Sequence, residues 1–383
     1  MHKRPVLGTI FTLTLALLLS SLCMGVHAEK IQGLEQEQIN ALDFAKKLDE
    51  HIDAGLVLRS GAVYQDVSEN GTSRSDIALP SAELGISAKV NEYVSAEIVY
   101  LYEDPPFEED SGLGMDSGFV TLSGGEDCPG HISLGKMYVP YGALMTHFPG
   151  DPLTSVPVTL TLGEISEEAL LAGYDKEFSI GSNSGRLSLS GYTFNGDIRS
   201  SDRENSIDDF GADASFTLDT GNDASIKVGG SYISNLADTD GITETLGSND
   251  EINSLVDGAS AYFSSNFRNV FLDAEYMAAL DDFKASEIKD SNGKGAEPSV
   301  WNIETGFNYN WGRNLEVALK YAGSDQSSAL DIPETRYGIT FNQEIFERTI
   351  LSLGALYDEF EEERFFDAED SRSTLFSQLK IEL

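Results

Sequence analysis

The sequence predicts an all-β fold, a sixteen-stranded antiparallel transmembrane β-barrel with a short N-terminal periplasmic amphipathic helix. Apolar and polar residues alternate at a period of two over stretches of about ten residues, and tight turns and longer connections separate these stretches. The clearest case is 209–234, where two such stretches flank the turn 220–223. Each strand therefore has one apolar face for lipid and one polar face.

The N-terminus predicts a secretory signal peptide over residues 1–28. Lys3 and Arg4 precede an apolar run from Val6 to Val26, and small residues surround a cleavage point after Ala28. The alternative is a retained transmembrane helix, since the run is nearly long enough to span a bilayer. The cleavage site favours a mature chain that begins at Glu29.

Residues 29–52 differ from the rest of the chain and predict an amphipathic helix or short coiled coil. The segment is rich in Glu, Gln, Lys, Leu and Ala, and its apolar residues recur at mixed three- and four-residue spacing. Two interpretations stay open: a periplasmic docking or oligomerisation helix, and a leader that lies against the barrel.

The remaining residues, 53–383, form the predicted barrel, in which eight long connections alternate with seven short ones. Such a series joins sixteen strands, and an even number places both chain ends on the side of the short turns, which is the periplasm in outer-membrane barrels. The long connections are 65–76, 103–115, 139–166, 196–206, 236–255, 280–297, 323–333 and 358–371.

Charge composition restricts the partners. The chain has 64 acidic and 25 basic residues, and removal of Lys3 and Arg4 leaves 64 against 23, a net charge of about −41. This surface excludes a nucleic-acid partner, because phosphate backbones would be repelled. The expected partners are outer-membrane lipid and a small-molecule solute, and a homo-oligomer is a further expectation.

Two strands have an ambiguous phase. Lys136 shares a face with Leu134 and Tyr138, and Lys176 shares one with Leu170 and Tyr174. Either these lysines lie at strand ends on the outer face or the phase is wrong by one residue.

The polar face of the strands predicts the lining of an aqueous channel, since a barrel of about sixteen strands is too wide for side chains to fill. Charges of both signs on this wall would orient and filter charged solutes. The inward residues expected from the phase are Arg59, Glu83, Glu97, Arg186, Asp213, Lys227, Asp273, Glu275, Glu304, Glu316, Lys320 and Arg336.

The connection 139–166 stands out by its length and its content of proline, glycine and apolar residues. Such a segment is poorly suited to extend into water, so we expect it to fold inward and narrow the pore. Its expected constriction residues are Tyr141, His147, Asp151 and Glu164. Their acids would face Arg59 and Arg186 on the wall.

An enzyme and a cofactor are not indicated. The chain beyond the signal has only His51, His131 and His147 and no Gly-x-Ser-x-Gly elbow. Residues 238–241 match part of a calcium loop, but a leucine stands at the first ligand position, so we interpret them as an acidic loop. No cofactor and no metal site are therefore expected.

Residues 135–142 (Gly-Lys-Met-Tyr-Val-Pro-Tyr-Gly), 151–154, 162–164 and 168–174 resemble the LbtU-type siderophore porin family. The resemblance implies an outer-membrane barrel with a short helical segment after the signal that takes up iron–siderophore complexes without an energy-coupling plug. We therefore expect passive uptake of a ferric siderophore. The alternative is a general cation-preferring diffusion porin, because acidic clusters lie in the connections 103–115 and 358–371, with Arg364 as the nearby compensation.

Overall fold

The computed structural model describes residues 51–67, 72–107, 111–125, 128–149, 157–196, 207–221, 223–246, 254–360 and 370–383. The predicted signal and nearly all of the predicted helix 29–52 lie outside these residues. Ile52 is already the first residue of a strand, so the barrel begins one residue before the predicted boundary.

Sixteen strands form one closed barrel in which every neighbouring pair is antiparallel and the first strand pairs with the last. The predicted fold class is thereby confirmed. The strands are β1 Ile52–Val67, β2 Thr72–Lys89, β3 Val94–Glu103, β4 Gly112–Ser123, β5 Gly130–Tyr138, β6 Ser166–Ile180, β7 Asn183–Phe194, β8 Asp209–Asp219, β9 Ala224–Ile233, β10 Gly258–Phe267, β11 Val270–Ala279, β12 Ser299–Asn310, β13 Asn314–Asp325, β14 Thr335–Phe346, β15 Thr349–Glu359 and β16 Ser371–Glu382.

The helical elements lie in the connections. They are α1 Leu160–Gly163, α2 Asp240–Leu246 and two short 3-10 helices, Leu236–Asp238 and Ser328–Leu330. Within the described part of the chain, no helix is both long and apolar enough to cross a membrane.

The barrel has a loop end, where the connections after odd-numbered strands lie, and a turn end, which holds the short turns and the start of β1. One predicted long connection, 65–76, is wrong. Val67 pairs with Thr72 in the β1–β2 ladder, so only four residues separate these strands. A run of polar residues predicts a loop there, but a strand with an aqueous inner face accommodates polar side chains such as Gln65 and Arg74 along its whole length.

The two ambiguous lysines lie on the outer face. Leu134 and Tyr138, which share the face of Lys136, are 63% and 42% exposed, while Ser133 and Met137 are buried. Lys136 Nζ donates to the carbonyl of Met115 at 3.1 Å, near the loop end of β5. Lys176 pairs with Leu187, which belongs to the outer row of β7. The predicted phase was therefore correct, and both lysines project outward.

A hydrophobic core occupies the loop end beside β5–β13 because four connections fold into the barrel. Each contributes buried side chains: Tyr141 and Leu162 from 139–165, Leu236 and Ile242 from 234–257, Phe283 from 280–298, and Leu330 from 326–334. They pack on inward strand residues that include Tyr192, Phe194, Ile233 and Met277. Each large apolar side chain buried in this way contributes about 1.5–3 kcal/mol, so the described parts of these connections are packed against the barrel wall.

Candidate functional site: the interior of the barrel

The connection 139–165 is termed the inward loop, and its described residues, 139–149 and 157–165, lie along the inner wall from β5 past β9 and β11–β14. Its first wall contact is a hydrogen bond of 2.9 Å from the backbone N–H of Gly142 to Ser231 Oγ on β9. Gly142 has φ +78°, and a Cβ there would lie 2.0 Å from Met277 Cε. Only glycine accommodates both this left-handed backbone and this close approach.

Glu275 on β11 holds the next two residues of the inward loop. Its Oε1 accepts from the N–H of Ala143 at 2.5 Å and its Oε2 from the N–H of Leu144 at 3.0 Å. Thr159, near the end of the loop, adds a longer bond of 3.4 Å to Oε2. One buried carboxylate therefore ties down both ends of the loop, with charge-assisted bonds that are stronger than neutral ones.

Glu304 on β12 holds residues 146 and 147 of the inward loop in the same way. It accepts from Thr146 Oγ1 at 2.7 Å and from the N–H of His147 at 2.6 Å. Side-chain amides complete the contact: Asn302 donates to the carbonyl of Met145 at 3.1 Å, and Asn342 on β14 donates to that of His147 at 2.6 Å.

His147 lies between two further wall acids. Its Nε2 is 2.7 Å from Asp273 and its Nδ1 is 3.0 Å from Glu316. The imidazole also stacks on Phe271, with ring centroids 3.7 Å apart. Burial lowers the pKa of His147, but the bonds to both carboxylates outweigh burial and raise its pKa to about 9. His147 is therefore charged at neutral pH and clamps the loop to β11 and β13.

Lys320 on β13 lies beneath the inward loop. Its Nζ is 3.0 Å from Glu304, and both side chains are fully buried. The ring of Phe148 covers the ammonium group at 4.6 Å. Phe148 itself packs on Val63, Leu356 and Phe376. The wall charges in this region are thus sealed under the loop.

A second buried ion cluster lies at the loop end of β14–β16. Arg336 donates to Asp358 through Nε at 2.6 Å and Nη2 at 2.9 Å, and Arg372 Nη2 donates to Asp358 at 3.1 Å. The expectation that Arg364 compensates the acids of 358–371 is wrong for Asp358, because its partners come from neighbouring strands. Residues 361–369 and 108–110 lie outside the described residues.

The residues predicted to line the pore all occupy inward positions in the strand register. The structure joins four of the acids, Asp273, Glu275, Glu304 and Glu316, through the inward loop. Asp213 accepts from Ser231 and Tyr262, both at 2.8 Å, and Lys227 lies 5.3 Å from the Tyr262 ring. Glu97, opposite Phe119 on β4, is exposed.

Arg59 and Arg186 do not have the partners expected for them. Arg59 lies 3.7 Å from Glu83 and donates to Ser81, and Arg186 forms an ion pair with Glu177. Among the constriction residues, Tyr141 is buried in the hydrophobic core, and Asp151 lies outside the described residues. The carbonyl of Glu164 accepts from the N–H of Asp240 at 2.9 Å. Acids on the wall therefore hold the loop, whereas the expectation was that acids of the loop would face arginines on the wall.

Sequence reasoning missed Thr146, Asn302 and Asn342, as well as the burial of Leu236, Ile242 and Val256 in the connection after β9. Asn302 and Asn342 occupy inward strand positions, but an uncharged side chain at such a position carries no distinguishing signal. The stretch 238–241, interpreted as an acidic loop, is a different element: Asp238 ends a 3-10 helix, and Asp238 and Thr239 are buried. The apolar Leu236, Ile242 and Val256 around it were the available signal. Within the described residues, no group of three or more His, Cys, Asp or Glu side chains could hold a metal ion.

Comparison with known proteins gives sequence relatives that are named UPF0422 proteins. The chain is 26% identical to a UPF0422 protein of Coxiella burnetii over 290 residues, 75% of this chain and 60% of that protein. It is 25% identical to a UPF0422 protein of Legionella pneumophila strain Lens over 317 residues, 78% of this chain and 57% of that protein. The chain therefore spans less than two thirds of these relatives. No family model matches it.

Solved structures similar to this one are outer-membrane channels. The anion-selective porin of Comamonas acidovorans matches 87% of this chain and 99% of its own, with 14% identity and a TM-score of 0.54. Pseudomonas putida OprB matches 90% and 96%, with 8% identity and a TM-score of 0.56. Acinetobacter baumannii DcaP matches 86% and 97%, with 12% identity and a TM-score of 0.51. The chain thus has the sixteen-stranded barrel fold of outer-membrane porins.

Proposed function

We propose that this protein is a bacterial outer-membrane channel for passive uptake of an iron–siderophore complex, with the chain ends on the periplasmic side. The observation that carries the proposal is the inward loop, which crosses the interior of a closed sixteen-stranded barrel and is held there by Glu275 and Glu304. A loop fixed inside an otherwise wide barrel restricts which solutes pass.

The siderophore assignment is supported by the resemblance described above. Its motif residues 135–142 end β5 and begin the inward loop, 162–164 cover the end of α1 and the residue after it, and 168–174 lie in β6. The resemblance therefore lies in the inward loop and in the two strands that it connects. The outer membrane supplies the lipid partner, and a homo-oligomer is part of the proposal.

Growth tests the proposed substrate. A deletion strain supplied with a ferric siderophore as sole iron source should grow poorly, and the intact gene should restore growth. A variant with Arg313→Gln in a turn-end connection serves as the restoring control. Equal growth with and without the gene, over a panel of siderophores, would reject siderophore uptake.

Surface labelling tests the orientation. Tags inserted at Ser68 and Asp367 lie in loop-end connections, and a tag within 220–223 lies in a turn-end connection. We expect antibodies to label the first two on intact cells and to miss the third. Labelling of the third tag would overturn the topology.

Single-channel recording tests the constriction. Deletion of residues 143–149 removes the bonds to Glu275 and Glu304 and should raise conductance and admit larger solutes. A folded, heat-modifiable barrel with unchanged conductance would mean that the loop only braces the wall.

The second candidate, a general cation-preferring porin, is favoured by Glu97, an exposed carboxylate on the inner face of β3. The two functions differ in one measurement. A siderophore channel changes its conductance when ferric siderophore is added, whereas a general porin passes potassium ions in preference to chloride regardless of the siderophore.

A further inference from the structure

Three arginines lie on the inner face at the loop end of alternate strands, β14, β16 and β2. Arg336 on β14 and Arg372 on β16 both oppose Asp358 on β15. Arg372 also opposes Val67 on β1, and Arg74 on β2 opposes Gln65 on β1. We call Arg74, Arg336 and Arg372 the arginine shelf.

Each outer member of the shelf is held in position by its neighbours. Arg74 Nε donates to Gln65 Oε1 at 2.8 Å, and its guanidinium lies 4.3 Å from the ring centre of Phe107. Arg372 bonds Asp358 through Nε and Nη2, and it lies 5.0 Å from the ring centre of Phe360. Stacking fixes a guanidinium plane and leaves its edge N–H groups available.

These edges can take further acceptors. A guanidinium has five N–H donors, and within the described residues the Nη groups of Arg74 and Nη1 of Arg372 have no hydrogen-bond partner. Arg74 is exposed and Arg372 is half-buried. Arg336 is buried against Asp358 and supplies charge rather than a free donor.

The charge of the shelf is opposite to that of the chain. Arg336 and Arg372 share the carboxylate of Asp358, whereas the whole chain has a net charge of −39. Asp76 is engaged through Oδ2, which accepts from the N–H of Phe107 at 3.2 Å. Arg74 forms no ion pair with a described residue, so its charge is available to an anion at the mouth of the barrel.

The spacing suits an anion with more than one charged group. The strands β2 and β16 flank β1, so their backbones are about 10 Å apart. Guanidinium groups that project from these two strands can each bond one carboxylate or catecholate group of the same molecule. Two such contacts on one molecule reinforce each other.

We propose that the arginine shelf is a binding site for multivalent organic anions that enter the channel from the loop end. The inference rests on the proposed function and specifies its substrate class, an anionic complex. Solutes with a net positive charge would be repelled from the shelf.

The test uses the full-length protein purified into planar bilayers. Benzenetricarboxylate is added on the loop-end side, and block of the potassium current gives an apparent dissociation constant. Arg74→Gln should weaken the block about tenfold, the effect of losing one charge-assisted contact. Arg372→Gln should weaken it by a similar factor.

Matched controls separate the site from general electrostatics. Arg313→Gln removes an arginine that lies 5.6 Å from the ring centre of Phe346 at the turn end, so it should leave the block unchanged. Benzoate, with one carboxylate, should block more weakly than benzenetricarboxylate. If Arg372→Gln fails to fold because Asp358 loses a partner, the exposed Arg74→Gln still decides the question.

Equal block of the intact protein, Arg74→Gln and Arg313→Gln would overturn the site. So would stronger block by benzyltrimethylammonium, a cation of similar size. Siderophore-dependent growth is scored separately. If Arg74→Gln weakens the block but growth does not depend on the gene, the proposed siderophore function is rejected and the anion site stands. If growth depends on the gene but Arg74→Gln leaves the block unchanged, only the anion site is rejected.

Discussion

The inner wall at β11–β13 and the inner wall at β1–β3 both carry carboxylates, but the carboxylates of the two walls have different partners. On β11–β13, Asp273, Glu275, Glu304 and Glu316 all bond the inward loop. On β1–β3, Glu83 lies 3.7 Å from the partly exposed Arg59, and Glu97 has no hydrogen bond or ion pair within the described residues. Inward acids therefore cannot be counted together as a selectivity filter. One set anchors the loop, and the other faces the lumen.

The largest expected effect is on Glu304. Glu304→Ala leaves Lys320 buried without its partner and removes the acceptor for His147 N–H, so the free energy of unfolding should fall by about 3–5 kcal/mol. The temperature at which the heat-modifiable gel band is lost reports this loss of stability. Glu83→Ala is the matched control and should cost less than about 1 kcal/mol, because its pair with Arg59 is partly exposed. Equal losses of stability in Glu304→Ala and Glu83→Ala would contradict the distinction between the two walls.

Glu275→Ala tests anchoring more directly. It releases the N–H groups of Ala143 and Leu144, and it should destabilise the protein by about 2–4 kcal/mol, the range for losing charge-assisted hydrogen bonds. Because residues 143–144 are then free to move, single-channel conductance should fluctuate and rise. Glu97→Ala should leave the loop in place and the noise unchanged. If the single-channel conductance and its noise are unchanged in Glu275→Ala, Glu275 is not needed to anchor the inward loop.

The pH dependence follows from His147. Its pKa is raised from 6.5 to about 9 in the folded protein, so its stabilisation is fully present below about pH 6.5 and is lost as the pH rises through about 9. The whole effect amounts to about 3 kcal/mol. Conductance noise and thermal unfolding recorded between pH 6 and pH 10 should reveal the loosened loop at the alkaline end. His147→Gln should remove this dependence, and a variant that keeps it would refute the assignment to His147.

The smallest expected effect is on Glu97. One unit charge about 8 Å from a passing ion is worth about 0.5 kcal/mol in water, or about twofold for each ion. Because this charge attracts potassium and repels chloride, Glu97→Gln should reduce the permeability ratio of potassium over chloride by about fivefold at low salt. Glu92→Gln, in the adjacent turn, is the control. Reversal potentials in a salt gradient measure both variants, and identical shifts would argue against a special role for Glu97.

Alternation of apolar and polar residues was sufficient to predict the barrel, its sixteen strands and the inward direction of its charges. The reason is that a lipid-facing row and an aqueous row leave a local signal in every strand. The phase at Lys136 was correct even though a charge stood in the outer row, because lysine can project outward at a strand end. The limit lay at the ends of strands, where Gln65 and Arg74 were assigned to a loop although they continue the ladder.

The partners of the charges were decided by the tertiary structure alone. Glu275 and Glu304 bond residues that are 132 and 157 positions away in sequence, respectively, and no local pattern encodes which wall a long loop will approach. The burial of Leu236, Ile242 and Val256 has the same origin, since their partners in the core come from other connections and from strands distant in sequence. The sequence by itself determined which side chains point inward, because strand periodicity is a local property. Which inward acids hold the loop and which face the lumen depended on contacts across the barrel, and these exist only in the folded state.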